Sequence, residues 1–197
     1  MNADDNPGRN AENHDADAHV RRPFLPDRVS SARRTTVVLA VLALLAMAAA
    51  WHRQERAAPA PEVTFPTIAG ETVTVGSMRG KVLLVNFWAT SCVACVAEMP
   101  RIAELHRRRH PEGLETIAVA MSYDPPNYVV RFAERSALPF RVALDPVGEA
   151  ARRFGDVRLT PTTFVIDRRG RIVRRFVGPP DFAELEQVLD KALAERS

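Results

Sequence analysis

Hydrophobic and polar positions divide this chain into stretches of different kinds. Residues 1–34 are polar, and their few apolar positions follow neither a helical nor a strand period. Such a segment cannot bury enough surface to offset its chain entropy, so it is expected to be a disordered tail. Thr35 to Trp51 then reads TTVVLAVLALLAMAAAW, without a charge or a polar face. From Val63 onward, apolar runs alternate with helical periods. Val73-Thr74-Val75 alternates after Gly70 and predicts a short edge hairpin. Lys81 to Phe87 is a nearly continuous apolar run after Gly80, the pattern of a central strand buried on both faces. Cys92 to Arg109 predicts a helix, kinked at Pro100 and ended by Pro111 and Gly113. Leu114 to Met121 and Phe140 to Leu144 predict further strands, separated by a helix from Asn127 to Ser136. Val147 to Phe154 predicts a short helix. Thr162 to Ile166 and Arg171 to Val177 predict a hairpin around residues 167–170. Phe182, Leu185, Val188, Leu189 and Ala192 share one helical face and predict a closing helix from Phe182 to Ala194.

The order is therefore strand, helix, strand, helix, strand, helix, hairpin, helix. Its first part implies parallel βαβ units with right-handed crossovers, and the hairpin adds an antiparallel edge. The expected fold class is α/β, a mixed sheet flanked by helices on both faces. Residues 63–197 are enough for one compact core. Residues 52–62 contain AAPAPE and read as a semi-extended linker.

The Thr35 to Trp51 run changes where that domain would sit. As a helix its length is roughly 25 Å, at about 1.5 Å per residue, against a hydrocarbon core about 30 Å thick. Snorkelling Arg33 and Arg34 at one end, and Trp51, His52 and Arg53 at the other, ease a small mismatch. The expectation is an N-terminal transmembrane helix over 35–51 with 1–34 cytoplasmic. Arg21, Arg22, Arg28, Arg33 and Arg34 precede it closely and only Arg53 and Arg56 follow. By the positive-inside rule the C-terminal domain is then periplasmic, on a single-pass inner (cytoplasmic) membrane anchor. Ala46-Met47-Ala48 and Ala48-Ala49-Ala50 leave a cleaved signal peptide open, although residues 1–34 are long for a signal n-region.

Composition narrows the chemistry. Net charge is +3, too small to indicate nucleic-acid binding, and there are only two cysteines. A disulfide scaffold and a four-cysteine zinc module are excluded. The two cysteines, Cys92 and Cys95, stand three apart where a strand meets a helix. On a first helical turn that spacing brings two sulfurs within reach of one disulfide. Cys92 falls at the helix N-terminus, where unpaired N–H groups and the dipole favour a thiolate. Cys95 lies one turn in. Cys92 is thus the attacking thiol and Cys95 the resolving one. His106 and His110 lie at the far end of the same helix, so no metal site is expected with the cysteines. Trp88, four residues before Cys92, is read as a packed residue bordering the site and as a substrate-binding candidate. Arg107-Arg108-Arg109 reads as a solvated helix end.

These residues give the chain a family likeness. It resembles the thioredoxin superfamily, and within it the membrane-anchored, extracytoplasmic thiol-disulfide oxidoreductases of the TlpA and ResA type. Four features carry the resemblance: Val82 to Thr90 before the C-x-x-C, Glu98 three residues after Cys95, Pro100 in the helix, and Thr160-Pro161-Thr162-Thr163-Phe164-Val165-Ile166-Asp167. The resemblance implies that Pro161 is cis and faces Cys92, with Thr160 backbone groups open to a substrate strand. It also implies that Glu98 exchanges protons with the cysteines. Asn86 departs from thioredoxin, which has a buried aspartate there, and Ser91 stands where thioredoxin has tryptophan.

The function implied is a periplasmic disulfide reductase with no cofactor beyond the Cys92–Cys95 disulfide. Its partners would be protein disulfides, in apocytochrome c (cytochrome c maturation) or in copper-assembly proteins for an oxidase. A transmembrane electron donor would re-reduce it. Two other classes remain as alternatives. A peroxiredoxin-like thiol peroxidase would need a threonine three before its cysteine, whereas Thr90 is two before Cys92. A copper-binding chaperone module would need a further ligand beside the thiols.

Overall fold

The structure is a computed structural model and describes residues 35–47 and 58–195. The predicted tail, residues 48–51 of the predicted anchor and residues 52–57 of the linker lie outside the described residues. Residues 35–47 form an exposed helix, α1. No helix among the described residues is long and apolar enough to cross a membrane. This helix and the domain from residue 58 belong to separate units and are described separately.

The domain is built on a five-stranded sheet of order β5-β4-β3-β6-β7. Its strands are β3 (Val82–Trp88), β4 (Leu114–Ala120), β5 (Arg141–Leu144), β6 (Thr162–Ile166) and β7 (Ile172–Val177). β3, β4 and β5 run parallel, while β6 and β7 are antiparallel additions. A separate hairpin, β1 (Thr64–Pro66) with β2 (Thr72–Thr74), lies before them in the chain. The helices are α2 (Val93–Arg109), α3 (Pro126–Arg135), α4 (Glu149–Arg153) and α5 (Phe182–Ala194). The predicted mixed sheet is present, and each predicted element lies within a few residues of its expected limits.

The central strand sorts the core. All seven residues of β3 are buried, and successive side chains alternate between faces. Leu83, Val85 and Phe87 pack with Phe65, Phe154 and Phe164. Edge-on ring contacts at 5.0–5.9 Å bind Phe87, Phe154 and Phe164 together. On the other face, Val82 and Leu84 meet Ile102 and Leu105 of α2 and Leu185 and Leu189 of α5. Trp88 packs with Cys95, Met99, Val129 and Ala133. The even positions of β3 therefore look toward α2, and Asn86 is one of them. That parity places a buried amide under the helix that carries the cysteines.

One expectation is corrected. Residues 58–62 were assigned to the linker, yet they are part of the domain. Ala60 N–H donates to Gly170 O at 2.8 Å, and Ala58 O accepts from Ile172 N–H at 2.8 Å. Pro59, which has no N–H to offer a ladder, forms the isolated bridge to Arg171 at that edge. Arg107-Arg108-Arg109 was read as a solvated helix end, and Arg107 and Arg108 are exposed there. At that surface Arg108 also pairs with Glu186 at 2.9 Å and Arg109 with Asp190, joining α2 to α5. Their partners lie 78 and 81 residues away, beyond the reach of any local pattern. α2 itself runs unbroken through Pro100, which withholds one helical N–H from the Val96 carbonyl.

Candidate active site

The site forms where β3 ends and α2 begins. Cys92 is the N-cap of α2, in extended backbone, and its sulfur accepts the Cys95 N–H at 3.2 Å. A sulfur so placed faces the free N–H groups of the first turn. The two cysteines form a disulfide with Cα atoms 5.2 Å apart. They are unequal: Cys92 is half-buried and Cys95 fully buried. Only one sulfur is open to an incoming partner, and it is the one at the helix end.

The start of β6 comes up beside it. The Thr160–Pro161 peptide bond is cis, as the resemblance implied. The Cys92 sulfur is 3.5 Å from the carbonyl oxygen of Thr160. The Tyr123 hydroxyl lies 3.4 Å from Thr160 Oγ1, so the segment after β4 also borders this edge. Val93, Tyr123 and Leu159 are large apolar side chains left exposed here.

Beneath the disulfide lies a polar trio in an apolar setting. Register pairs Asn86 on β3 with Thr163 on β6. Asn86 Nδ2 donates to Thr163 Oγ1 at 2.9 Å and to Glu98 Oε1 at 2.9 Å. Glu98 is one turn beyond Cys95 on α2 and only 4% exposed. Burial raises its pKa to about 7, with the Asn86 bond opposing the shift. Among the described residues, Asn86 Oδ1, Glu98 Oε2 and the Trp88 Nε1–H are buried without a partner. The carboxyl beside Cys95 is thus poised to hold or release a proton near neutrality.

The predicted site residues Cys92, Cys95, Glu98, Thr160 and Pro161 come together. Trp88 does not present a surface to substrate. It is 0% exposed and its ring packs 5.1 Å from that of Phe132, so it supports Cys95 from below. Its position at the end of a fully buried strand is the physical reason.

One residue went unforeseen. Asp124, in the segment after β4, is buried and holds the loop before the disulfide. Thr90 N–H donates to Asp124 Oδ2 at 2.6 Å, and Thr90 Oγ1–H to Oδ1 at 2.5 Å. A lone acid 34 residues from its partner gives no signal in sequence. Asp124→Ala leaves the Thr90 amide without its acceptor and is expected to cost about 2–3 kcal/mol. Asp124→Asn keeps one acceptor and should cost less. Urea unfolding of the oxidised pair of variants checks the order.

His106 of α2 and His110, just past its end, are occupied elsewhere. His106 is buried, with Nδ1 3.1 Å from Thr116 Oγ1 and its ring edge-on to Phe140. Burial, and then the neighbouring His110, hold its pKa below the usual imidazole value.

Comparison with known proteins agrees with this geometry. Residues 55–189 match the Redoxin family model. The thiol-disulfide oxidoreductase ResA of Bacillus thuringiensis subsp. konkukian is 31% identical over 141 residues, covering 71% of this chain and 80% of that protein. The chain belongs to the ResA-like thiol-disulfide oxidoreductases of the thioredoxin superfamily. ResA of Geobacillus thermodenitrificans is 32% identical over 131 residues, covering 66% of this chain and 74% of that protein. A thioredoxin family thiol:disulfide interchange protein from Chlorobium tepidum superposes with a TM-score of 0.64. It is 27% identical and covers 71% of this chain and 98% of that one. StoA from Bacillus subtilis, at 22% identity and a TM-score of 0.58 over 67% of this chain and 98% of its own, shares the fold. As in the ResA-like proteins by name, the chemistry is thiol-disulfide exchange, and this chain carries the C-x-x-C for it.

Proposed function

We propose that this ResA-like protein is a membrane-anchored, extracytoplasmic protein-disulfide reductase. One observation carries the reading: a half-buried Cys92 at a helix N-terminus is paired with a fully buried Cys95 that has a near-neutral carboxyl one turn away. In the reduced protein, the Cys92 thiolate attacks one sulfur of a substrate disulfide. A Cys92–substrate disulfide forms, and the other substrate sulfur leaves as a thiolate that takes up a proton. Glu98, as carboxylate, then accepts the proton of the Cys95 thiol. The Cys95 thiolate attacks Cys92 Sγ, and the second substrate thiolate departs and is protonated. Two electrons and two protons have moved to the substrate, and the Cys92–Cys95 disulfide remains. The Thr160 edge pairs with the substrate chain while this happens.

The substrates are the cysteine pairs of apocytochrome c or of copper-assembly proteins, the classes that the TlpA and ResA resemblance implies. A transmembrane dithiol donor returns the electrons. The uncharged run from Thr35 to Trp51, helical over the described residues 35–47, supports the anchor, and the arginines before it support a domain outside the cytoplasm. Full-length reduced protein in detergent, mixed with an oxidised Cys-x-x-Cys-His peptide, tests the activity. Stoichiometric appearance of peptide thiols is expected. A peptide that stays oxidised while the protein stays reduced contradicts it.

A further inference from the structure

Two cavities of about 600 and 350 Å³ lie along the α2–α3 side of the domain and share Val96 and Phe132 in their walls. Together they form a groove. Thr90 marks the end beside the disulfide loop, and Arg107 marks the other end, near the C-terminus of α2. Its floor is apolar, including Val96, Pro100, Phe132 and Leu138. Phe132 in turn rests on Trp88 beneath the cysteines.

The rim is basic. Arg131 and Arg135, one turn apart on α3, line one part of it and Arg107 the other, against a single carboxylate, Glu134. These arginines differ from most in the domain. Arg79, Arg108, Arg109, Arg141, Arg153, Arg158, Arg171 and Arg174 each pair with a carboxylate. Arg101 covers the Phe182 ring, and Arg168 donates to three backbone carbonyls. Arg107, Arg131 and Arg135 form no ion pair with a carboxylate among the described residues, and all three border this groove. Arg135 Nε donates to the Arg131 carbonyl at 3.3 Å, but no carboxylate among the described residues neutralises any of the three. Guanidinium groups so placed over an apolar floor are complementary to acidic side chains flanking apolar anchors.

We propose that the α2–α3 groove is a docking site for an acidic segment, with apolar anchors, of the protein whose disulfide meets Cys92. This rests on the reductase reading and adds to it a basis for partner choice. The Thr160 edge pairs backbone and is indifferent to side-chain charge, whereas the groove reads charge and shape. Arg131 and Arg135 act mainly on encounter, so their effect weakens with salt.

Two synthetic peptides test this with full-length protein in neutral detergent. They share a cystine and the same leucine and phenylalanine anchors; one carries glutamates between the anchors and the other lysines. Second-order rates of oxidation of the reduced protein are measured at low and high salt. The glutamate peptide is expected to react about ten-fold faster at low salt, with the difference shrinking at high salt. Arg131→Glu/Arg135→Glu should reverse the order, and Arg131→Lys/Arg135→Lys should keep it. Equal rates for both peptides, or an order that survives charge reversal, overturn the docking site while leaving the reductase intact. A reduced protein that reduces neither cystine overturns the reductase reading instead. Anisotropy of the same peptides, labelled and lacking the cystine, then judges the groove alone: tighter binding of the glutamate peptide, lost on charge reversal, supports it, and its absence overturns it.

Discussion

Cys92→Ser abolishes disulfide reduction, whereas Cys95→Ser stops it half-way. The first variant removes the exposed sulfur at the N-cap of α2, and no other cysteine in the chain can replace it. A hydroxyl in that place is not appreciably ionised and does not displace a sulfur. Loss should exceed about a thousand-fold, since covalent attack is the whole of the reaction. The second variant keeps the attacking thiol and removes the buried one that would release the product. It should accumulate a stable Cys92–substrate disulfide, one adduct per chain. Non-reducing electrophoresis and intact mass before and after reductant separate the two variants. An adduct on Cys95 in Cys92→Ser would reverse the assigned roles.

The second large effect belongs to Glu98. Its carboxyl titrates at about 7 rather than the ordinary 4.5 because it is buried. Between those values the folded protein keeps a proton that the unfolded chain has released. Stability therefore falls as pH rises through that window, and the loss is complete above about pH 7. The total is about 3 kcal/mol. Glu98→Gln has no proton to lose. It should match the parent near pH 4.5 and exceed its stability by up to about 3 kcal/mol at pH 8. His106 acts in the opposite sense. Its pKa is depressed, so the folded protein has released a proton that the unfolded chain retains below the usual imidazole value. Its contribution is present at neutral pH and is lost on acidification. Unfolding the oxidised parent and Glu98→Gln across pH exposes each trend: the variant should lose the fall and keep the rise.

Activity should move the other way. With no carboxylate to take the Cys95 proton, resolution of the mixed disulfide in Glu98→Gln should slow about a hundred-fold. The inflection near pH 7 in the resolution rate should vanish, while the first attack by Cys92 is little altered. A variant more stable at pH 8 and slower at the second step would mark Glu98 as a group held charged at a cost for chemistry.

Why some of this was legible in sequence and some was not follows from range. β3 announces itself by seven consecutive positions with no solvent face, and α5 by an unbroken apolar stripe. The C-x-x-C is local, so spacing alone foretold that one helical turn would carry both sulfurs. Glu98 was visible as the third residue after Cys95. The Asn86 amide that binds it was visible only as a polar residue in a buried run, since its direction depends on strand parity and on the register with Thr163. Asp124 and the Arg108–Glu186 pair depend on chain crossings that no local period encodes. The Ala58 to Glu62 stretch looked like a linker because alanine and proline carry no packing signal. Its partners lie in the turn near Gly170 and at the start of β7.

In the proposed reaction electrons leave this protein toward substrate disulfides. Residues 87–98 contain no Lys, Arg or His to hold a Cys92 thiolate, and only the helix end favours it. A buried carboxylate beside Cys95 opposes a second negative charge there. Neither favours the strongly stabilised reduced form that makes an oxidant. The equilibrium potential of the Cys92–Cys95 couple in the full-length protein tests this most directly. A value near thioredoxin's, about −270 mV, is predicted; one near −120 mV would contradict the reductase reading and make the protein an oxidant.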